Sequence, residues 1–307
     1  MQVWKRGAFS TKNYLIPETK NFQLLIYFSA SSNLNIKVMS KIFIIILSAI
    51  VFLVGQSPYI RSTLPVRDGI IYNPDSGRPF SEFATEYFDN GQIKLKGRYS
   101  GGFANGYWSY YHPNGQIKAR GRYYKAIDSN QNNIIENGRA GKWIYWFKNG
   151  TKQMTGIYKN GQMDGNWVFW YQNGFKHSEG KYKSGKLHGE WQSWYANGNI
   201  QETGDYIMDL MDGEWLFWDS IGQLIESGRY EYGRPKGEHT GWYRSGKLKW
   251  RVNYESGKRH GPYFSWFDNG QVEMSGSYNE GKKDGIWNYW LKDGSIKEQK
   301  IYTAKQP

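Results

Sequence analysis

The sequence predicts an all-β fold, an elongated antiparallel meander or solenoid of about nine 24-residue β-hairpin repeats. Three observations carry that expectation. Hydrophobic residues make up 39% of the 307 residues and aromatic ones 18%, which leaves 21% for aliphatic, Met and Ala side chains. With 37 Gly, 15 Trp and 25 Tyr, this composition suits short strands and tight turns, and argues against a helical bundle or a parallel α/β core. A turn dipeptide recurs at Asn90-Gly91, Asn114-Gly115, Asn149-Gly150, Asn173-Gly174, Asn197-Gly198, Ile221-Gly222, Ser245-Gly246, Asn269-Gly270 and Asp293-Gly294, every step being 24 residues except the second, which is 35. Nine residues past each stands a tyrosine: Tyr99, Tyr123, Tyr158, Tyr182, Tyr206, Tyr230, Tyr254, Tyr278 and Tyr302.

At the N-terminus, Met39-Ser40-Lys41 precedes the uncharged, mostly apolar run Ile42 to Gly55, the layout of a short basic region followed by the apolar core of a signal peptide. Residues 39–56 are therefore expected to be a signal peptide or membrane anchor; the run is short for a span, which usually needs about 20 apolar residues. Residues 1–38 then lie ahead of the true start and are expected to be an extension or disordered. This places the protein outside the cytoplasm, in the periplasm, the envelope or the medium, with a membrane-anchored or cytoplasmic form as the alternative. Residues 1–56 hold six Lys/Arg and one Glu, so the formal +13 leaves +8 on the remaining 251 residues. There the charges alternate in sign with no block of like charge, which argues against a nucleic-acid-binding tail. The chain has no Cys, which removes disulfides, thiol catalysis and Cys-ligated zinc.

Each repeat reads Gly-x-Trp-x-x-Trp-aromatic-x-Asn-Gly, then x-Ile-x-x-x-Gly-x-Tyr, then x-x-Gly-x-x-Asp/His-Gly, as from Gly165 through Tyr182 to Gly189. Asn-Gly between aromatic runs is a strong hairpin signal, because a two-residue type I′ turn requires positive φ at both central residues. The second Gly-rich stretch, such as Asn160 to Gly165, reads as the connection between hairpins. About eighteen short strands result, spanning roughly 85 Å at the usual strand spacing.

Pairing about a two-residue turn sets the first Trp of a unit (Trp108, Trp143, Trp167, Trp191, Trp215) opposite the Gly seven residues beyond the turn Asn, and Trp287 opposite Lys300. A large ring over a glycine fills the gap in the sheet. The core face would also hold the aromatics two before the turn (Phe147, Tyr171, Tyr195, Tyr243, Phe267), the apolar residues three after it (Ile93, Ile117, Ile200, Leu224, Leu248, Val272, Ile296) and the recurrent tyrosines. The opposite face is polar, with Lys94, Lys96, Arg98, Lys118, Arg120 and Arg122 in the first units. Three residues before each turn, however, runs a second aromatic ladder: Tyr87, Tyr111, Trp146, Trp170, Trp194, Trp218, Trp242, Trp266 and Trp290. The seven tryptophans, partly exposed in this register, are the candidate binding residues, able to stack on a peptide, a sugar or a partner's aromatic. A bulge beside the turn would shift the register and exchange the faces, and packing of both ladders is the alternative.

No catalytic constellation is found. Gly180 to Leu187 and Gly276 to Lys283 have the spacing of a phosphate loop without its Ser/Thr, and no Gly-x-Ser-x-Gly or His-Glu-x-x-His occurs. The five His are scattered; His188 and His260 share a position with Asp164, Asp212 and Asp284, where they are expected to stabilise a turn rather than bind metal. The eleven-residue insertion, within Tyr124 to Gly138, contains Asp128-Ser129-Asn130-Gln131-Asn132-Asn133-Ile134-Ile135, which starts like a calcium loop. It has Arg139 where a bidentate Glu is expected, so an Asn-rich exposed loop is the reading. No metal or cofactor is expected.

The repeat pattern resembles the MORN repeat variant, the form known in bacteria as the YwqK-type antitoxin family of toxin–antitoxin systems. The resemblance covers Glu82 to Tyr302, and the preceding Asp68 to Tyr72 and Gly77 to Ser81 resemble a degenerate first unit of that family, so that residues 57–81 cap the exposed sheet edge. Residues 82–302 then form the hairpin array, interrupted at 124–138, and 303–307 a tail. The resemblance implies a β-hairpin array and a scaffolding role with a protein or membrane-associated partner; a more distant similarity is to aromatic hairpin repeats that bind cell-wall choline or glucan. The expected function is a non-enzymatic scaffold presenting an extended aromatic and basic surface to a protein partner, with a glycan or membrane surface as other occupants. The alternative is an antitoxin that neutralises a protein toxin by direct binding.

Overall fold

The protein is described here as a computed structural model covering residues 59–127, 135 and 137–303. The expected extension (1–38), the signal segment (39–56) and the calcium-like stretch from Asp128 to Ile134 lie outside the described residues. Eighteen strands, from Phe83–Tyr87 to Ile296–Tyr302, each pair antiparallel with the next. A short strand, Tyr59–Ile60, adds parallel to the first of them, giving a 19-stranded sheet that does not close on itself. The all-β hairpin array expected from the 24-residue period is therefore present.

The two ends of the hairpins are built differently, and the expected turn chemistry sits at the other end. At Asn173-Gly174 the Tyr171 N–H bonds the Phe175 carbonyl at 2.9 Å and the Gly174 N–H bonds the Tyr171 carbonyl at 3.0 Å, so the loop has three residues. Only Gly174 has positive φ (+92°); Asn173 is not among the positive-φ residues. This is a type I turn closed by a glycine bulge, not the expected two-residue I′ turn. The I′ geometry occurs instead in the presumed connections, at Asn160-Gly161 (φ +52° and +79°), and likewise at Ser184-Gly185, Tyr232-Gly233, Ser256-Gly257 and Glu280-Gly281. Apart from the joint between Ile117–Ala126 and Arg139–Trp146, which holds the insertion, the joints of the array are thus tight hairpins.

Why Asn recurs follows from its side chain. Asn173 Oδ1 accepts the Phe175 N–H at 3.2 Å, and its Nδ2 donates to the Ala196 carbonyl in the next turn at 2.9 Å. The same link runs from Asn90, Asn114, Asn149, Asn197 and Asn269. Where Ile221 interrupts it, Asp219 accepts the Ile221 and Gln223 N–H groups and pairs with Arg244 from the next turn. At the opposite end, backbone bonds such as Gly185 N–H to Met163 O at 2.8 Å do the stitching.

Two register breaks per unit place the side chains. The pairings Trp167–Gly180, Trp108–Gly121, Trp143–Gly156, Trp191–Gly204, Trp215–Gly228 and Trp287–Lys300 are as expected. The rings, however, do not lie on those glycines. Between neighbouring units the pairing skips Gly156 on one strand and Gly165, Asn166 and Trp167 on the next, with Gly165 at φ +73°. That break tips the Trp167 indole back over Gly156, where an added Cβ would stand 2.2 Å from the ring. Its Nε1 donates to the Ile157 carbonyl at 3.1 Å. Trp108, Trp143, Trp215 and Trp287 repeat both contacts with the preceding unit, and His239 mimics them over Gly228 with Nε2 2.9 Å from the Arg229 carbonyl. Most units are therefore completed by the indole of the next, the interdependence expected of a solenoid. The second break lies beside the turn, between Phe169–Ser178 and Trp170–Lys176, and leaves His177 unpaired.

Candidate functional site

The second break corrects the assignment of faces. Side chains directly paired across antiparallel strands share a face. The residues three after the turn pair with the outer ladder: Tyr87–Ile93, Tyr111–Ile117, Trp194–Ile200, Trp218–Leu224, Trp242–Leu248, Trp266–Val272 and Trp290–Ile296. They were expected on the core face; the extra bulge residue carries them to the other side. In two units the same position is Lys, giving Trp146–Lys152 and Trp170–Lys176. The outer strip is therefore aromatic and aliphatic along most of its length, with two lysines between its rings. Lys152 Nζ stands 5.7 Å from the Trp170 ring and Lys176 Nζ 5.1 Å from that of Trp194, within cation–π range.

Trp146, Trp170, Trp194, Trp218, Trp242, Trp266 and Trp290 are all half-buried, and the sheet brings them into one row. Their backbone is fixed from the next-door unit: the Tyr171, Tyr195 and Tyr243 hydroxyls each donate to the carbonyl of Trp194, Trp218 and Trp266, all at 2.8 Å. These tyrosines, two before the turn, also pack on the bulge residue, Tyr171 against His177 at 4.7 Å and Tyr243 beneath Lys249. The two tryptophan ladders differ in one respect that bears on binding. Most inner indoles spend their N–H on a backbone carbonyl, and Trp191 spends its own on Glu202 Oε1 at 2.9 Å. The seven outer indoles have no hydrogen-bond partner among the described residues, and none of their nitrogens is sealed from solvent.

The charge on this face changes along the sheet. Arg98, Arg120 and Arg122 project from the first units, whereas the middle units present Glu179, Glu190, Asp205 and Glu214 around a cleft of about 610 Å³ that also holds Lys181. The Lys181–Glu190 pair, 3.5 Å apart and exposed, contributes little to stability. The expected basic surface is thus clearest in the N-terminal units; farther along, Lys181, Lys236 and Arg251 stand paired with Glu190, Glu231 and Glu238. The bulges and part of the acidic middle had no periodic signature in the sequence: His177 looks like any strand residue, and Glu179 and Asp205 do not recur in other units, whereas Glu190 and Glu214 share their place with Glu238. His188 and His260 lie within strands at the register break, their Nδ1 atoms buried without a partner. Among the described residues no group of side chains could hold a metal ion.

The model of the MORN repeat variant matches residues 104–126, 187–208 and 259–280. No curated protein matches the chain. Among solved structures, the chain is 17% identical to part of a GtfA/B complex bound to UDP and GlcNAc, covering 38% of this chain and 22% of that one, with a TM-score of 0.16. It is 12% identical to part of a TcdB2-TccC3-Cdc42 complex, over 70% of this chain and 13% of that one (TM-score 0.18), and 12% to part of TcdB2-TccC3, over 74% and 18% (TM-score 0.15). The chain spans less than a quarter of the length of these structures, and similarities this weak bear on neither fold nor function. Each family match, by contrast, coincides with one hairpin about its Asn-Gly or equivalent turn, so the array carries repeats of the MORN variant type.

Proposed function

We propose that the chain is a non-enzymatic repeat scaffold that holds a protein partner on its outer tryptophan ladder. The observation that carries this reading is the row of seven half-buried indoles whose N–H groups are uncommitted, flanked by aliphatic side chains and by Lys152 and Lys176. Such a strip offers rigid apolar area with polar handles, the chemistry enriched at protein interfaces. The experiment is affinity capture with the full chain as bait, compared with the Trp170→Ala, Trp194→Ala, Trp218→Ala triple variant. Loss of the captured protein with an unchanged circular dichroism spectrum supports the reading; retention of the partner contradicts it, and selective capture of an oligosaccharide redirects it to a glycan.

The resemblance to an antitoxin family supports a narrower version, in which the partner is a toxin neutralised in the cytoplasm. Against it stands the signal-like run from Ile42 to Gly55, which supports an extracytoplasmic scaffold. Fractionation separates the two: a mature protein beginning near Gln56 in the envelope or medium excludes cytoplasmic neutralisation.

A further inference from the structure

The inner face repeats one arrangement in which a cation of the chain itself caps a cluster of aromatic rings. Lys283, paired with Tyr278, sets its Nζ 4.1 Å from the Trp287 ring, 5.2 Å from Tyr289 and 5.5 Å from Tyr302, and bonds the Tyr289 hydroxyl at 2.9 Å. Arg139, at the same position of its own unit, lies over Trp143 at 5.6 Å and Tyr158 at 5.0 Å and bonds the Tyr158 hydroxyl at 2.9 Å. Arg259 caps Tyr278 at 5.4 Å.

In the middle of the array that position is Met211, paired with Tyr206. The corresponding rings are present: Trp215, Phe217 stacked on it at 5.9 Å, and Tyr230. What changes is the row beside them. Where the Lys283 unit pairs Met274, Tyr289 and Glu298 across three strands, this one pairs Glu202, Phe217 and Glu226. No cation of the described residues pairs with either carboxylate. Burial holds the Glu226 carboxyl above its ordinary range, with only His239 opposing. Directly across from Glu202 lies Ser193, only 5% exposed, whose Oγ has no hydrogen-bond partner. The middle units thus combine an aromatic cluster, a carboxylate on each side of Phe217 and an unspent hydroxyl, and lack the chain's own cation that completes the same arrangement elsewhere.

We propose that this inner face, between Glu202 and Glu226, receives a Lys or Arg side chain of a partner polypeptide, seated over Phe217 as Lys283 is seated over Tyr289. The rings supply cation–π attraction and the two carboxylates supply charge pairing in a partly dehydrated setting. It concerns the face opposite the outer ladder and stands or falls independently of that reading.

The test is binding of a fluorescent peptide of five Arg-Ala repeats to the full chain. Because the chain carries +13, bulk electrostatics oppose this probe and any affinity reports a local site. The Glu202→Gln, Glu226→Gln double variant should weaken binding by at least roughly tenfold, given the usual size of such contacts. Met211→Arg, which supplies the cation from within, should weaken it to a similar extent while raising the thermal midpoint. Glu179→Gln with Glu190→Gln, on the other face, should leave it unchanged. Undiminished binding by the folded Glu202/Glu226 variant, equal losses from the Glu179/Glu190 pair, or spermidine binding as tightly as the peptide would overturn the proposal. The outer-ladder triple variant should bind the peptide normally, which separates failure here from failure of the outer-ladder reading.

Discussion

Tyr123 and Tyr206 occupy the same position of the repeat, yet the first is fully buried and the second half-exposed. The contrast extends over whole regions. In the N-terminal units Tyr99, Tyr123 and Tyr158 are buried, and residues outside the repeat cover them: Arg61 donates to the Tyr99 hydroxyl at 3.0 Å, Phe80 packs edge-on against Tyr99, and the Ile135 carbonyl accepts from Tyr123 at 2.6 Å. From Tyr182 onward no such covering segment is present among the described residues, and the tyrosines are half-exposed. The inner tryptophans are less sensitive, since Trp167, Trp215 and Trp287 are as buried as Trp108. The repeat buries its own indole through the glycine of its neighbour; burying its tyrosine takes extra chain. A bare array therefore leaves one inner face accessible wherever nothing lies over it.

The comparison can be pressed hardest at the tryptophans. Trp143→Ala should cost about 3–5 kcal/mol in urea unfolding, the usual loss for a buried large aromatic, and half-buried Trp191→Ala clearly less. Equal losses would mean that the deeper burial of Trp143 adds no stability. One step smaller, Tyr123→Phe removes a hydroxyl bonded to Ile135 O and 3.0 Å from the Tyr110 hydroxyl, and should cost about 1–3 kcal/mol. Tyr206→Phe, with no hydrogen bond at its hydroxyl, should change stability by no more than about 0.5 kcal/mol.

The same contrast should appear on titration. Burial, then the neighbouring Tyr110, pushes the Tyr123 hydroxyl far above the ordinary tyrosine range, and burial does the same for Tyr145 although Arg139 opposes it. A raised folded-state pKa stabilises the fold fully below the unfolded value near 10. That stability is lost as pH rises further, at about 1.4 kcal/mol per pH unit per tyrosine, because only the unfolded chain releases the proton. Ultraviolet titration should therefore show Tyr123 and Tyr145 ionising only with unfolding. Tyr206 and Tyr230, raised mainly by partial burial and next by Glu202 and Glu226, should ionise earlier in the folded protein. The smallest effect is expected at the turns, where Asn197→Ala removes the bond to the Ser220 carbonyl at 2.6 Å and should cost about 0.5–1.5 kcal/mol in thermal or urea unfolding.

Much of this was legible in the sequence, because a 24-residue period with one turn signal fixes strand count and pairing once the direction of the chain is known. The six tryptophan registers followed from it. The faces beside the turn did not, because a single bulge residue such as His177 shifts every side chain beyond it by one face and carries no residue preference of its own. The turn types were exchanged for a related reason: Asn-Gly suits both a two-residue I′ turn and a glycine-bulge loop, and the Asn link to the next unit, invisible in a single hairpin, selects the second. Glu202, Glu226 and Met211 were unreadable as a set because neither repeat position holds a fixed residue type: that of the glutamates also holds Leu95, Met154 and Trp250, and that of Met211 also holds Leu187 and Lys283.

The central claim is that the inner ladder holds the array together while the outer ladder remains available to a partner. Its most direct test is the guanidinium midpoint of two triple variants, Trp167/Trp191/Trp215→Ala and Trp170/Trp194/Trp218→Ala. The account predicts that the inner triple abolishes the cooperative transition and that the outer triple retains it with a modest loss. An outer triple that unfolds as readily as the inner one would show both ladders to be packing and would contradict the account.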